Sequence, residues 1–234
     1  MRWWLPIAMI AAGLAGCYNY GYKSQRAQLW RGMSPVEDVN LIREGKSPRA
    51  RREAILRVVR NECSFSEKER QRLSCRKMLA FVTSPLHEPN PLVRATAASA
   101  LREVGTPEEV PLLARNLRGD ASLEPQPEPS PIVRREVVKT LGVLAGPPQI
   151  PVLDALLRTD PDVETRVECA NALARIDTQR AVPPLLAGLS DPDPSVRFAC
   201  REALAKITGE DLPASDTIWR NWWESRGEKA TERP

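Results

Sequence analysis

An arginine recurs four residues after a Ser, Asn or Asp at five places along the chain: Ser47/Arg51, Asn90/Arg94, Ser130/Arg134, Asp162/Arg166 and Asp193/Arg197. The surrounding segments are alike: SPRARREAILRVV, NPLVRATAASALREVG, SPIVRREVVKTLGVLAG, DVETRVECANALARI and DPSVRFACREALAKI. Self-similarity of this kind restricts a chain to repeat architectures, in which one small unit is stacked on the next. The arginine spacings are 43, 40, 32 and 31 residues. The last two are a normal helical-repeat period, and the first two leave room for insertions.

Each unit reads as a helix with a defined start. Ser, Asn and Asp are preferred N-caps because a side-chain oxygen accepts an orphan backbone N–H. Proline directly after the cap has its fixed φ and missing donor where a helix tolerates both. Four starts have that pair, at Ser47-Pro48, Asn90-Pro91, Ser130-Pro131 and Asp193-Pro194. The fourth repeat departs, with Pro161 before Asp162 instead of a proline after it. Behind the cap runs an apolar stripe at helical spacing, for instance Val93, Ala97, Ala100, Leu101 and Val104.

A second helix follows each first one. Thr106-Pro107-Glu108-Glu109 reads as a capping box leading into VPLLARNL, and IPVLDALL from Ile150 and VPPLLAGL from Val182 are its equivalents. In the first repeat Ser66 and Glu69 are the expected cap of KERQRLSCRKMLAF. Much of the high proline count, 22 residues, is thereby helix punctuation.

The paired helices resemble HEAT repeats over roughly residues 47 to 210. The likeness lies in the [Asp/Asn/Ser]-Pro-x-Val-Arg start, the Ala-Leu pairs Ala100-Leu101, Ala172-Leu173 and Ala203-Leu204, and AVPPLLAGLSD from Ala181. It implies an all-α fold: a right-handed α-solenoid of about five HEAT-like helix pairs, with a short N-terminal helix and a Trp-rich C-terminal capping helix. It also implies that Arg51, Arg94, Arg134, Arg166 and Arg197 form a polar ladder between repeats with acidic residues in the turns. A basic binding strip is the alternative role for these arginines.

A solenoid must cover its terminal apolar faces. SPVEDVNLIREG, from Ser34 to Gly45, reads as a helix preceding the first repeat. At the other end Trp219, Trp222 and Trp223 fall on one helix face. They are expected to pack on the last repeat as a cap; an exposed aromatic patch for a partner is the alternative. RGDASLEPQPEPSP, residues 118–131, favours extended structure and reads as a surface loop, either a tolerated insertion or a recognition segment. Cys169 and Cys200 occupy equivalent repeat positions and read as small core residues, whereas Cys63 and Cys75 flank the first inter-helix turn and could pair.

The chain opens MRWWLPIAMIAAGLAGCYNYGY. Arg2 precedes an apolar run of 12 residues, Trp3 to Leu14, too short to span a bilayer but suited to a signal-peptide core. Leu14-Ala15-Gly16-Cys17 resembles the bacterial lipobox, whose cysteine is lipidated and becomes the new N-terminus after cleavage. An ordinary signal peptide and an uncut anchor are the alternatives. The expected divisions are a signal peptide at 1–16, lipidated Cys17 and a tether at 17–33, the N-terminal helix at 34–46, the repeats at 47–211, and the capping helix and tail at 212–234. Two acyl chains suffice for stable anchoring, and Tyr18, Tyr20 and Tyr22 suit a headgroup region. Tyr18 stands where an Asp would retain such lipoproteins in the inner membrane. The resemblance therefore implies the outer membrane facing the periplasm, where the organism has one.

Chemistry finds little to work with. The one histidine, His87, does not supply the His-Glu pairs of HEAT-like iron hydroxylases, and no Cys pair has zinc-ligand spacing. No P-loop, Gly-rich dinucleotide turn or serine elbow occurs. A net charge of +4, spread evenly, does not argue for nucleic acid. No cofactor or metal is expected. The reading is a non-catalytic, lipid-anchored scaffold for unidentified envelope proteins, with contact candidates Arg115, Arg118, Asp154 and Arg158 on the second helices. The alternatives are a bilin-lyase-like or other ligand-binding enzyme built on such repeats, or a purely structural envelope component.

Overall fold

The computed structural model describes residues 41–42, 45, 47–62, 79, 82–83, 88–118 and 127–231. Outside them lie residues 1–40, with the leader, Cys17 and the tether, most of the Ser34–Gly45 helix, and Cys63, Ser66, Glu69, Cys75 and His87. The described residues form nine helices and no strand: α1 (Pro48–Glu62), α2 (Pro91–Val104), α3 (Val110–Arg118), α4 (Pro131–Leu144), α5 (Ile150–Thr159), α6 (Val163–Ile176), α7 (Val182–Gly188), α8 (Pro194–Thr208) and α9 (Asp216–Thr231). Single 3₁₀ turns, Pro107–Glu109, Pro147–Gln149 and Gln179–Ala181, lead into α3, α5 and α7.

The helix starts obey their caps, with one difference. The Asn90 side chain accepts from Leu92 N at 3.0 Å, Asp162 from Thr165 N at 2.9 Å and Asp193 from Ser195 N at 2.8 Å. Ser130 makes no side-chain cap bond; its carbonyl accepts from Arg134 N at 3.0 Å, the bond that the other cap carbonyls also make. Helix α8 stops at Gly209, whose φ of 76° lies in the left-handed region that glycine adopts without strain.

The first helices α1, α2, α4, α6 and α8 pack on one another in chain order, and α3, α5, α7 and α9 form a second layer in the same order. Each of α3, α5 and α7 lies mainly against the first helix of the following pair. This is an α-solenoid. Buried residues recur at fixed offsets from the cap: Val93, Ala97, Ala100 and Leu101 in α2; Val133, Val137, Thr140 and Leu141 in α4; Thr165, Cys169, Ala172 and Leu173 in α6; Val196, Cys200, Ala203 and Leu204 in α8. Second helices contribute Val110, Leu113 and Leu117, then Ile150, Leu153 and Leu157, then Val182, Leu185 and Leu189. Burying these stripes against neighbours, with each Val, Leu or Ile side chain stabilising by about 1.5–3 kcal/mol, is what holds units too small to fold alone. Helices α4 and α6 come close together at Gly142, where a Cβ would stand 2.9 Å from Ala172 Cα.

Helix α9 ends the second layer. Trp219 is fully buried, its ring 5.5 Å from that of Trp222 and nearly perpendicular to it. Trp222 and Trp223 are partly buried against the same core, and the Arg226 guanidinium lies 4.6 Å over the Trp222 ring.

Candidate functional site

Four loops that lead into first helices share a pattern: an acid, a proline and then the cap. They are Glu88-Pro89-Asn90, Glu128-Pro129-Ser130, Asp160-Pro161-Asp162 and Asp191-Pro192-Asp193. In each, the carboxylate accepts from the backbone N–H of its own cap residue, at 2.8, 2.9, 2.9 and 2.8 Å respectively. The same carboxylate receives the arginine of the preceding repeat.

Arg51 donates to Glu88 at 2.9 Å. Arg94 grips Glu128 with two bonds, 2.9 and 2.6 Å, Arg134 grips Asp160 at 2.7 and 2.8 Å, and Arg166 grips Asp191 at 2.9 and 3.1 Å. These forks are the bidentate geometry in which charge-assisted bonds are strongest. The remaining guanidinium nitrogen, Nη1, reaches back to its own loop. Arg94 donates there to Glu88 O and Pro89 O at 2.8 and 3.0 Å, and Arg134 to Glu128 O and Pro129 O at 3.1 and 2.9 Å. Each rung thus ties two consecutive loops and a helix start into one network. The Asp160 hydrogen bond raises the Arg134 guanidinium above its ordinary range despite burial, and Asp191 does the same for Arg166.

Arg197 departs from the expected role. Its Nη1 donates to Asp191 O and Pro192 O at 2.8 and 2.9 Å, but no carboxylate of a later repeat meets it among the described residues. The reason is local: α9 succeeds α8 as a second helix, and no further acid-Pro-cap loop is described after it. The loop at 118–131 also differs from the surface reading at one point. The Glu128 side chain is fully buried, and its backbone N–H donates to Asn116 O at 3.0 Å. A buried carboxylate is tolerated there because Arg94 and the Ser130 N–H satisfy it. The acid-Pro-cap recurrence was available in the sequence and would have located all four acids. It also explains Pro161, which matches Pro89, Pro129 and Pro192.

The second-helix layer carries the contact candidates. Arg118 and Arg158 are exposed at equivalent positions of α3 and α5, with exposed Ser190 in third place. Asp154 accepts from Arg158 at 2.7 Å, so this acid and base neutralise each other. Arg115 is half-buried, and its Nε has no hydrogen-bond partner. Pro111, Pro151 and Pro183 add an exposed row at the helix starts. On the first-helix layer, an open groove between α6 and α8 is lined by Val167, Asn171, Pro194, Phe198 and Glu202.

The buried thiols are poor nucleophiles. Burial pushes the Cys200 thiol up to about 12 and raises that of Cys169 well above its usual range. Among the described residues, no cluster of three or more His, Cys, Asp or Glu side chains could hold a metal ion. No described helix is long and apolar enough to cross a membrane.

No curated protein matches this chain. Residues 150–218, which run from α5 into α9, match the family model of HEAT repeats. That match, with helix pairs packed in chain order and tied by arginine–carboxylate rungs, supports a HEAT-repeat protein.

Proposed function

We propose that this chain is a non-catalytic scaffold that binds protein partners along its second-helix layer, held by a lipidated Cys17 in a bacterial cell envelope. The observation that carries the binding reading is the exposed register of Arg118, Arg158, Pro111, Pro151 and Pro183 on consecutive second helices. Solenoids use such a surface for extended contacts, and HEAT repeats commonly serve as protein-interaction scaffolds. The anchoring reading rests on Leu14-Ala15-Gly16-Cys17 after a basic start and an apolar run.

Crosslinking in intact cells, with identification of the attached species, tests the binding. The double variant Arg118→Glu/Arg158→Glu is expected to lose crosslinked partners while keeping its helical signal. An unchanged set of partners would sink this surface as the binding face. Cys17→Ala is expected to abolish lipid attachment and move the chain from the membrane to the soluble fraction. If that variant is processed and fractionates like the parent, the anchor is not Cys17.

A further inference from the structure

The ladder ends on an open rung. Arg94, Arg134 and Arg166 each commit Nε and Nη2 to the carboxylate of the next repeat. Arg197 is tethered through Nη1 to two carbonyls of its own loop, as Arg94 and Arg134 are, yet its Nε and Nη2 meet no carboxylate among the described residues. It is half-exposed at the terminal flank of the solenoid. Arg197 therefore holds the posture of an occupied rung with no carboxylate acceptor among the described residues.

What can enter is limited by the flank itself. The position eight residues after the cap is Ala98, Val138 and Ala170 in α2, α4 and α6; Ala98 and Ala170 are buried, as is Val138. In α8 that position is Arg201, which spans to Leu212 O at 2.9 Å and to Asp211 and Glu202. A charged side chain braced this way takes up the seat of a packed helix. Helix α8 thus lacks the small apolar residue that the earlier first helices bury at this position, while the fork of Arg197 stays open among the described residues. In a second copy stacked head to tail the acid's place, two residues before the cap, is taken by Gly45, with Glu44 one position out of register. The acids of the other loops are already gripped.

We infer that Arg197 is a docking point for an extended acid-Pro segment of a partner protein, whose carboxylate takes the place that Glu128, Asp160 and Asp191 take within the chain. This deepens the scaffold reading and rests on it, placing one specific contact at the end of the stack. The ligand chemistry is read from the occupied rungs: a carboxylate followed by proline, without a helix behind it.

The test uses the full-length chain and a capped nonapeptide of its own sequence, Pro125 to Val133 (PQPEPSPIV), in which Glu128 is the one carboxylate. Titration is monitored by NMR at the Arg197 Nε–H, assigned by its loss in Arg197→Lys. A saturable shift is expected, and calorimetric titration, which also reads Arg197→Lys, is expected to give binding at least ~10-fold weaker for the Glu128→Gln peptide and for that variant, which keeps the charge but not the fork. Equal binding of both peptides, or no shift at millimolar peptide, overturns the proposal. So does an Arg197 signal that moves only on deleting residues 232–234, which would put the chain's own end in the fork. The outcome is separable from the crosslinking test, because Arg118→Glu/Arg158→Glu leaves this titration unchanged.

Discussion

Replacing Glu128 with Gln isolates the physics of the ladder, because the change keeps shape and removes one charge. The Glu128 side chain is 0% exposed and that of Arg94 is 4% exposed, so neither ion can recover hydration when its partner is neutralised. Glu128 accepts 2.9 and 2.6 Å bonds from Arg94 and a 2.9 Å bond from Ser130 N. Breaking a buried pair on one side costs about 3–5 kcal/mol, since an uncompensated charge stays behind. The amide retains one acceptor oxygen, which puts the expected loss near the lower end, about 3 kcal/mol. The double variant Arg94→Met/Glu128→Leu removes both charges and fills the space but leaves Glu88 O, Pro89 O and Ser130 N without these partners, so it is expected to lose about 1–2 kcal/mol, less than the single variant. Urea unfolding monitored by far-UV circular dichroism reads both, and with the single variants Arg94→Met and Glu128→Leu added, the cycle gives the coupling. Because the rung joins α2 to α4, the single variant is also expected to split one transition into two, with the segment before Pro129 melting first. A loss under about 1 kcal/mol for Glu128→Gln, or a double variant as unstable as the single, would refute the argument.

Gly142→Ala brings a Cβ to 2.9 Å from Ala172 Cα, so α4 and α6 must part. A net loss of about 1–2 kcal/mol is expected despite the gain in helix propensity, and a stabilised variant in the same urea assay would show that the contact is slack. Cys169 and Cys200 are expected to resist a thiol reagent at about pH 8 until urea unfolds the chain; mapped labelling at the rate of a free thiol would contradict their burial. Burial works against the charge of Glu136, but bonds from Lys139 and Arg102 outweigh it, and its carboxyl lies below the ordinary 4.5. For Asp162 burial is likewise overcome, by Thr165 and then Arg135, leaving it below 3.8. Both are depressed in the folded state, so their contribution is complete above those ordinary values and lost as pH falls through the lower folded ones. Stability should be level from about pH 7 to about 5, then fall in acid. Asp162→Asn with Glu136→Gln should flatten that fall, and an unaltered acid limb would refute the assignment.

The first helices were legible because three independent signals coincide at each start: a cap, a proline and an apolar stripe at helical period. Asn90, Pro91 and Val93 show all three within four residues. The acids of the ladder were harder, because they lie in loops before the caps and act on an arginine 25 to 37 residues earlier. Glu128 was hidden further by its proline-rich surroundings, where composition says extended and exposed. Composition cannot register that one carboxylate among those prolines is neutralised by Arg94. The exposure of Arg158 could be anticipated from helical register, but its Asp154 bond depends on which rotamers meet across one turn. The end of the ladder could be read only once the acids were known: Arg197 matches its predecessors in its own helix, but no acid-Pro-cap triplet occurs in residues 198–234.

The rungs also decide how the molecule would respond to a pull. Each one joins a first helix to the loop of the next, so the connections run in series along the stack. A force drawing α9 away from α8 would meet no carboxylate at Arg197 among the described residues, then one ion pair at each junction from Asp191 back to Glu88. Such a chain is expected to peel from its C-terminal end one helix pair at a time, which a force-extension trace would read as discrete steps in place of a single rupture.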